Sequence, residues 1–354
     1  MEPTETQKAW RRFRRNLPAF AGLWFIAFCV FTALFAYVLA PDQAPDANTQ
    51  IPELALAEIG AKATLIALPA ASDTEPVSWL QGLWSGYPVG GRLVPVEGSS
   101  IHQHGDSTRF EYVGTHTKGA VFGQAKALIK NRSFPLGTDK YGRCIWSRLL
   151  LGFRVSLVIG LIAVFISLTI GLLIGLLGGY FGGRLDDLVM LLVNTVWSIP
   201  TLLLVFAVVL ALGRGIGIIF LAVGLTMWVD VARIVRGQTL AIRALPFVEA
   251  AASMGFSHFR IIFKHVLPNL VGPILVVASG NFATAILIES GLSYLGFGVQ
   301  APTPSWGSMM HENYGYALSG KPMLALAPAI AIALTVLAFN LVGNGLRDAL
   351  DIKR

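Results

Sequence analysis

Five stretches of the chain carry residues spaced for chemistry. "GYALSGKP", Gly315 to Pro322, fits the Gly-x-x-x-x-Gly-Lys spacing of a phosphate-binding loop. In such a loop backbone N–H groups cradle phosphates, and a hydroxyl after the lysine holds Mg²⁺. That hydroxyl position is Pro322, so the match fails where its chemistry lies. "HQHGD" sets His102 and His104 two apart, on one face of a strand, with Asp106 and then His116 beyond. Imidazoles so placed suit a shared metal ion, but a solvated polar loop gives the same pattern and is the reading adopted. Asp230 and Glu289 are the acidic residues near apolar interiors. A gradient-driven transporter would use such carboxylates for protons or cations, whereas Arg233, three residues on, offers Asp230 a structural ion pair. No nucleophile, base and orienting group stand together, which leaves a membrane enzyme without support.

The fifth stretch, residues 249–269, reads EAAASMGFSHFRIIFKHVLPN. Glu249, Ser253, Ser257, Arg260 and Lys264 recur at helical steps, and Ala252, Phe256, Phe259, Phe263 and Val266 take the other side. Gly255 interrupts the helix and Ser257 is suited to cap a second one, so two short helices meet at a bend and end at Pro268. An amphipathic helix at the headgroups would account for the stripe but not for the bend.

The elements that hold these residues follow from composition. The chain has 354 residues, 54% hydrophobic and 13% charged, the balance of a membrane protein. Residues 16–41, 155–183, 188–213, 215–229, 265–288 and 322–346 contain no Asp, Glu, Lys or Arg. A hydrocarbon core needs about 20 apolar residues of helix. Five windows reach that length, and 215–229 does so by running on to Val235, which gives six transmembrane helices.

Fourteen Lys and Arg flank the spans on one side, from Lys8 and Arg11 to Arg347 and Arg354, against Arg214 and Lys321 in the short loops of the other. Positive charge marks the cytoplasmic side, so both termini are inside and Pro322 lies outside. The net charge of +7 then reflects topology and anionic membrane lipid rather than nucleic acid. The run Leu17–Ala40 is too long for a signal peptide and reads as an uncleaved anchor. Two cysteines, Cys29 and Cys144, make neither a disulfide framework nor a metal knuckle.

Residues 42–154 are expected to form a small, partly β, extracytoplasmic region. Its end, with Ile145, Leu149, Phe153 and Leu157 at helical spacing and Arg148 and Arg154 off that face, reads as an interfacial helix feeding the second span. Gly171, Gly175 and Gly179 form a ladder that lets helix backbones approach closely, and Pro200 should kink the third span.

Glu249-Ala250-Ala251, then Gly255, then Leu267-Pro268 resemble the EAA loop of the membrane subunits of binding-protein-dependent ABC importers. "PLGTDKYGRCIWSRLLLGFRVSL", "GLTMWVDVARIVRGQ" and "ILIESGLSYLGFGVQAPTPSWG" are similar to the C-type permeases of the dipeptide, oligopeptide and nickel branch. The resemblance covers about residues 135–350, with the basic tail and first span. It departs at His265, where the general motif has Ile, at Cys144, where Asp is common, at Asp230, and in the length of 41–134.

The resemblance implies an all-α polytopic protein with the type I ABC importer permease fold, in the inner membrane of a bacterium. It divides into a tail, 1–16, a first helix, 17–40, an extracytoplasmic insert, 41–134, and a permease core, 135–354, with a cytoplasmic coupling loop at 236–268. It implies partners: a second permease subunit, two cytoplasmic ATPase subunits and a solute-binding protein. ATP and Mg²⁺ belong to the ATPases, and this chain is non-catalytic with no cofactor. Coupling would fall to Glu249, Ala250, Ala251, Gly255, Phe256, Phe259, Arg260, Lys264 and Pro268. Asp139, Arg143, Glu289 and Pro200 are candidates for the path of a peptide or similar solute. A gradient-driven transporter or channel is the alternative.

Overall fold

The basic tail and the first apolar window both become helix: α1, Glu5–Arg15, and α2, Leu17–Leu34, with a short continuation α3, Ala36–Leu39. The computed structural model describes residues 5–68, 77–88, 91–96, 102–104, 107–111, 118–122, 129–213 and 215–350. Arg214, Lys353 and Arg354, used above for orientation, lie outside them.

Among the described residues six strands follow, β1 Ala61–Leu68, β2 Arg92–Val96, β3 His102–His104, β4 Ser107–Glu111, β5 Lys118–Phe122 and β6 Ile129–Phe134, with helix α4, Trp79–Ser85, after β1. They pair antiparallel in two sheets, β2-β1-β6 and β3-β4-β5. In the first, Leu65 lies opposite Pro95 and Lys130. Ile51, Leu65, Leu93, Phe134 and Cys144 close its core. Cys144 therefore sits in an apolar environment that a charged Asp would not suit. Burial pushes its thiol pKa up.

The remaining helices are α5 Ile145–Phe181, α6 Gly183–Trp197, α7 Thr201–Leu212, α8 Ile216–Arg243, α9 Pro246–Ser253, α10 His258–Ile261, α11 Leu267–Tyr294, α12 Trp306–Leu318 and α13 Met323–Leu350. Among the described residues five helices are long and apolar enough to cross a membrane, or six if the bent pair α6 and α7 is one span. That agrees with six spans. The third departs from a kinked helix, because α6 and α7 meet at 86°. Pro200 has no N–H to continue the ladder and disfavours helical backbone at Ile199, so the helix breaks outright.

The chain forms two compact units, one of Met1–Cys29, Ser156–Val299 and Ala331–Arg354, the other of Val30–Val155 and Gln300–Ile330. In the first, the glycine ladder on α5 faces α8. A Cβ at Gly171 would stand 2.7 Å from the Trp228 carbonyl oxygen, at Gly175 2.6 Å from that of Ala232, and at Gly179 2.7 Å from that of Arg236. The small residues thus serve backbone approach. Asp186 on α6 accepts two bonds from Arg236 on α8, 2.5 Å from Nε and 2.6 Å from Nη2. Asp230 is exposed and makes no ion pair with Arg233. That guanidinium lies 3.9 Å over the Trp197 ring instead, since a planar cation gains from an aromatic face as well as from a carboxylate.

In the second unit, α5 begins buried rather than interfacial. Arg148 is 1% exposed and its Nη2 stands 3.8 Å from the Glu312 carboxylate. Trp306 donates its indole N–H to the Leu149 carbonyl at 3.2 Å and packs edge-on against Phe153. The helical spacing of Ile145, Leu149 and Phe153 records protein packing, with the arginine held inside by charge.

Candidate coupling site

The stretch expected to carry coupling folds as two short helices, α9 and α10. Pro246 takes the first turn of α9, where its missing N–H costs nothing, and Glu249 sits in that turn with its charge toward the positive helix end. At the other end Gly255 adopts φ +77°. Its N–H reaches the Ala252 carbonyl at 3.0 Å, and the Phe256 N–H reaches that of Ala251 at 3.2 Å. These two bonds are the Schellman pattern, which needs a left-handed residue at this place. Two residues on, Ser257 caps α10, its Oγ accepting from the Arg260 N–H at 3.4 Å.

The polar stripe is therefore not one helical face, because the chain turns between Met254 and Ser257. The apolar side also divides. Val248, Ala251, Ile261, Val266 and Leu270 pack with Leu176 and Tyr180 of α5 and with Val231, Val235 and Ile242 of α8. Phe256 joins that cluster, whereas Phe259 and Phe263 are 70% and 52% exposed with their rings 4.3 Å apart. The anchor within the chain is aliphatic, and the aromatic pair faces outward. Ala250, Arg260, Lys264 and Pro268 are also exposed, and the Arg260 guanidinium lies 4.2 Å over the Phe256 ring.

Pro268 does not end the helix. A wide π-type turn, Ile262–Val266, carries α10 into α11, and the Asn269 side-chain amide bonds the His265 carbonyl at 2.7 Å. The wide turn takes up the hydrogen bond that proline cannot make.

Beside the two helices lies a cleft of 580 Å³, lined by Tyr180 and Phe181, by Leu240 and Arg243, and by Val248, Glu249, Ala252 and His258. Tyr180 Oη and His258 Nδ1 are 3.0 Å apart. Arg243 stands 5.9 Å over the Tyr180 ring. The cleft thus joins one carboxylate, one guanidinium, a tyrosine–histidine pair and an aromatic wall. Sequence reasoning missed Tyr180, Phe181, Arg243 and His258. The one available signal was the aromatic pair between glycines in "GGYFGG".

The candidates for the solute path are scattered. Asp139 and Arg143 meet each other, 2.5 Å between Oδ2 and Nε, and both are buried. The Asp139 carboxylate also accepts from the Tyr141 and Arg143 N–H groups, and Arg143 goes on to Glu312. They cross-link the second unit internally. Glu289 is fully buried in the first unit, accepting from Ser293 Oγ at 2.8 Å and Ser156 Oγ at 3.4 Å. Pro200 is exposed at the break between α6 and α7. His102 and His104 lie on β3, while Asp106 and His116 fall outside the described residues.

A helical core of membrane-spanning length carrying two short helices between two of its spans defines a polytopic membrane protein. Residues 152–354 match the family model of the binding-protein-dependent transport system inner membrane component, and residues 4–55 match the N-terminal transmembrane domain of oligopeptide transport permease C. The chain belongs to this family of inner-membrane transport components. It is 43% identical over 217 residues to the dipeptide transport system permease protein DppC of Bacillus subtilis, covering 61% of this chain and 68% of that one. To the oligopeptide transport system permease protein OppC of the same organism it is 42% identical over 246 residues, 70% of this chain and 78% of that one. The glutathione transport system permease protein GsiD of Salmonella paratyphi A is 47% identical over 217 residues, 61% of this chain and 71% of that one.

Proposed function

We propose that this permease subunit imports peptides, or a chemically similar solute, at the expense of ATP hydrolysed by partner subunits. The relatives named for dipeptide, oligopeptide and glutathione transport support a substrate with a peptide backbone. The observation that carries the reading is the pair α9 and α10 standing between two spanning helices, capped by its own atoms and edged by the 580 Å³ cleft. A cytoplasmic ATPase docks against the exposed Glu249, Ala250, Phe259 and Arg260, and its movement is passed through the buried Val248, Ala251 and Ile261 into α8 and α11. Phe259 and Phe263 supply the apolar contact, Arg260 and Lys264 the charged rim, and small Ala250 permits close approach.

Two ATPase subunits, a second permease subunit and an extracytoplasmic binding protein complete the assembly, with both termini of this chain in the cytoplasm of a bacterial cell. ATP and Mg²⁺ sit on the ATPases. Gentle extraction of a tagged chain followed by mass spectrometry tests this. Recovery of an ATPase and a second six-span subunit, the ATPase lost on combined Glu249→Arg and Phe259→Asp substitution, is the expected result. Recovery of this chain alone or as a homo-oligomer overturns it and favours gradient-driven transport.

A further inference from the structure

Helix α4, WLQGLWS, lies outside both regions that match family models. Its rotation is fixed by Gly82, where a Cβ would fall 2.2 Å from the Tyr87 ring, so this side faces protein. At about 100° per residue, Leu80 and Trp84 point the opposite way and Leu83 adjoins Leu80, Trp79 stands at the edge toward Gly82 at the exposed first turn, and Gln81 and Ser85 take the remaining arc. Trp79, Leu80 and Trp84 are 67%, 66% and 68% exposed. The helix carries no charge. A short apolar face with two tryptophans is expensive to leave in water.

Its position is set by Arg154. One edge of that guanidinium donates to the carbonyls of Leu83 at 2.8 Å and Trp84 at 2.9 Å, the last turn of α4. The rest donates to the carbonyls of Ala33 at 3.0 Å and Leu34 at 3.3 Å, where α2 ends. The cation also lies 5.0 Å over the Trp84 ring and 5.2 Å over that of Tyr37. A single side chain thus satisfies the carbonyl ends of two helices and holds α4 beside the last turn of α2. From there Leu34, Phe35, Val38 and Leu39 continue an exposed apolar surface on the same unit.

We infer that α4 is an interfacial anchor: Trp79, Leu80 and Trp84 seat in the phospholipid headgroup layer beside the end of the first span. The occupant is lipid because the face continues the bilayer-exposed surface of a spanning segment, and tryptophan is the side chain that gains most at that depth. A neutral helix recognises the interface itself and asks for no anionic headgroup. The β-rich unit is thereby tied to the membrane plane through α4 as well as through its covalent connections.

The test uses the assembled transporter in phosphatidylcholine nanodiscs. Cys29 and Cys144 are buried, so a Leu80→Cys substitution takes an environment-sensitive fluorophore selectively, and Arg92→Cys on β2 serves as the aqueous reference. Expected are a blue-shifted probe at position 80, quenching by lipids spin-labelled near the headgroup, and iodide quenching several-fold weaker than at position 92. Iodide quenching equal to that at position 92 overturns the inference. So does a probe at 80 shielded from both iodide and spin-labelled lipid, which would mean that protein covers the face. Trp79→Cys provides a second reporter should Leu80→Cys fail to assemble.

Discussion

The Tyr180 hydroxyl and His258 Nδ1, 3.0 Å apart, tie the last turn of α5 to the first residue of α10. This contact links α9 and α10 to a span that is not their neighbour in sequence. Tyr180→Phe removes one hydrogen bond and should cost about 0.5–1.5 kcal/mol of stability. The effect should vanish when His258 is already Ala. A double-mutant cycle on thermal unfolding checks it, and additive losses would refute the coupling.

At Gly255 the cost of substitution is conformational, because a Cβ there meets nothing within 4 Å. Gly255→Ala should destabilise by about 1–2 kcal/mol through the left-handed backbone alone. Gly255→Asn, which tolerates that region, should cost less. Bulky replacements should reduce uptake per ATP hydrolysed in proteoliposomes more than they reduce ATPase activity. Normal uptake with such a residue would count against movement being passed through α9 and α10.

The contact of α5 with α8 predicts opposite signs for two glycines. Gly175→Leu forces side-chain atoms onto the Ala232 carbonyl and Val235 and should cost about 1–3 kcal/mol or more. Gly237→Ala on α8 meets open space and should stabilise by up to about 1 kcal/mol. Thermal denaturation in detergent compares them directly.

Glu312 is shared by Arg143 and the buried Arg148. Glu312→Gln removes that carboxylate from both guanidinium groups, of which Arg143 keeps Asp139, and should cost about 1–3 kcal/mol. Limited proteolysis of the second unit would show it first, and unchanged resistance would mean that water satisfies the arginines.

Cys144 should resist maleimide until the chain is denatured, since it is buried and only a thiolate reacts. Burial raises its folded-state pKa. The unfolded chain therefore loses this proton first as pH rises, and the contribution to stability is full below the ordinary thiol pKa and declines above it. Cys144→Ser should flatten that alkaline decline.

The spans were legible because charge-free windows of the right length admit few other states in lipid. The bend was legible because Gly255 and Ser257 are local signals, complete within four residues. What escaped depends on distant partners. Arg148 reads as solvent-facing until Glu312 arrives from far along the chain, and Asp230 and Arg233 read as a pair until Trp197 offers its ring. The cleft draws Tyr180, Arg243, Glu249 and His258 from four helices, so no spacing along the chain announces it. Pro200 and Pro268 show the same limit. Both break the hydrogen-bond ladder, yet one ends a helix and the other is absorbed by a π-type turn, a choice made by surrounding packing.

The self-capped ends of α9 and α10 bear on association as much as on shape. Where α9 meets α10, the Ala251 and Ala252 carbonyls are met by the Phe256 and Gly255 N–H groups and the Arg260 N–H by Ser257. A binding partner thus meets a surface that is already ordered. Docking then spends little entropy on arranging this loop, and affinity is free to stay modest while recognition remains sharp. If this joint is strained and relaxed at every turnover, as the proposed coupling requires, preorganisation of that kind separates its strength from its fidelity.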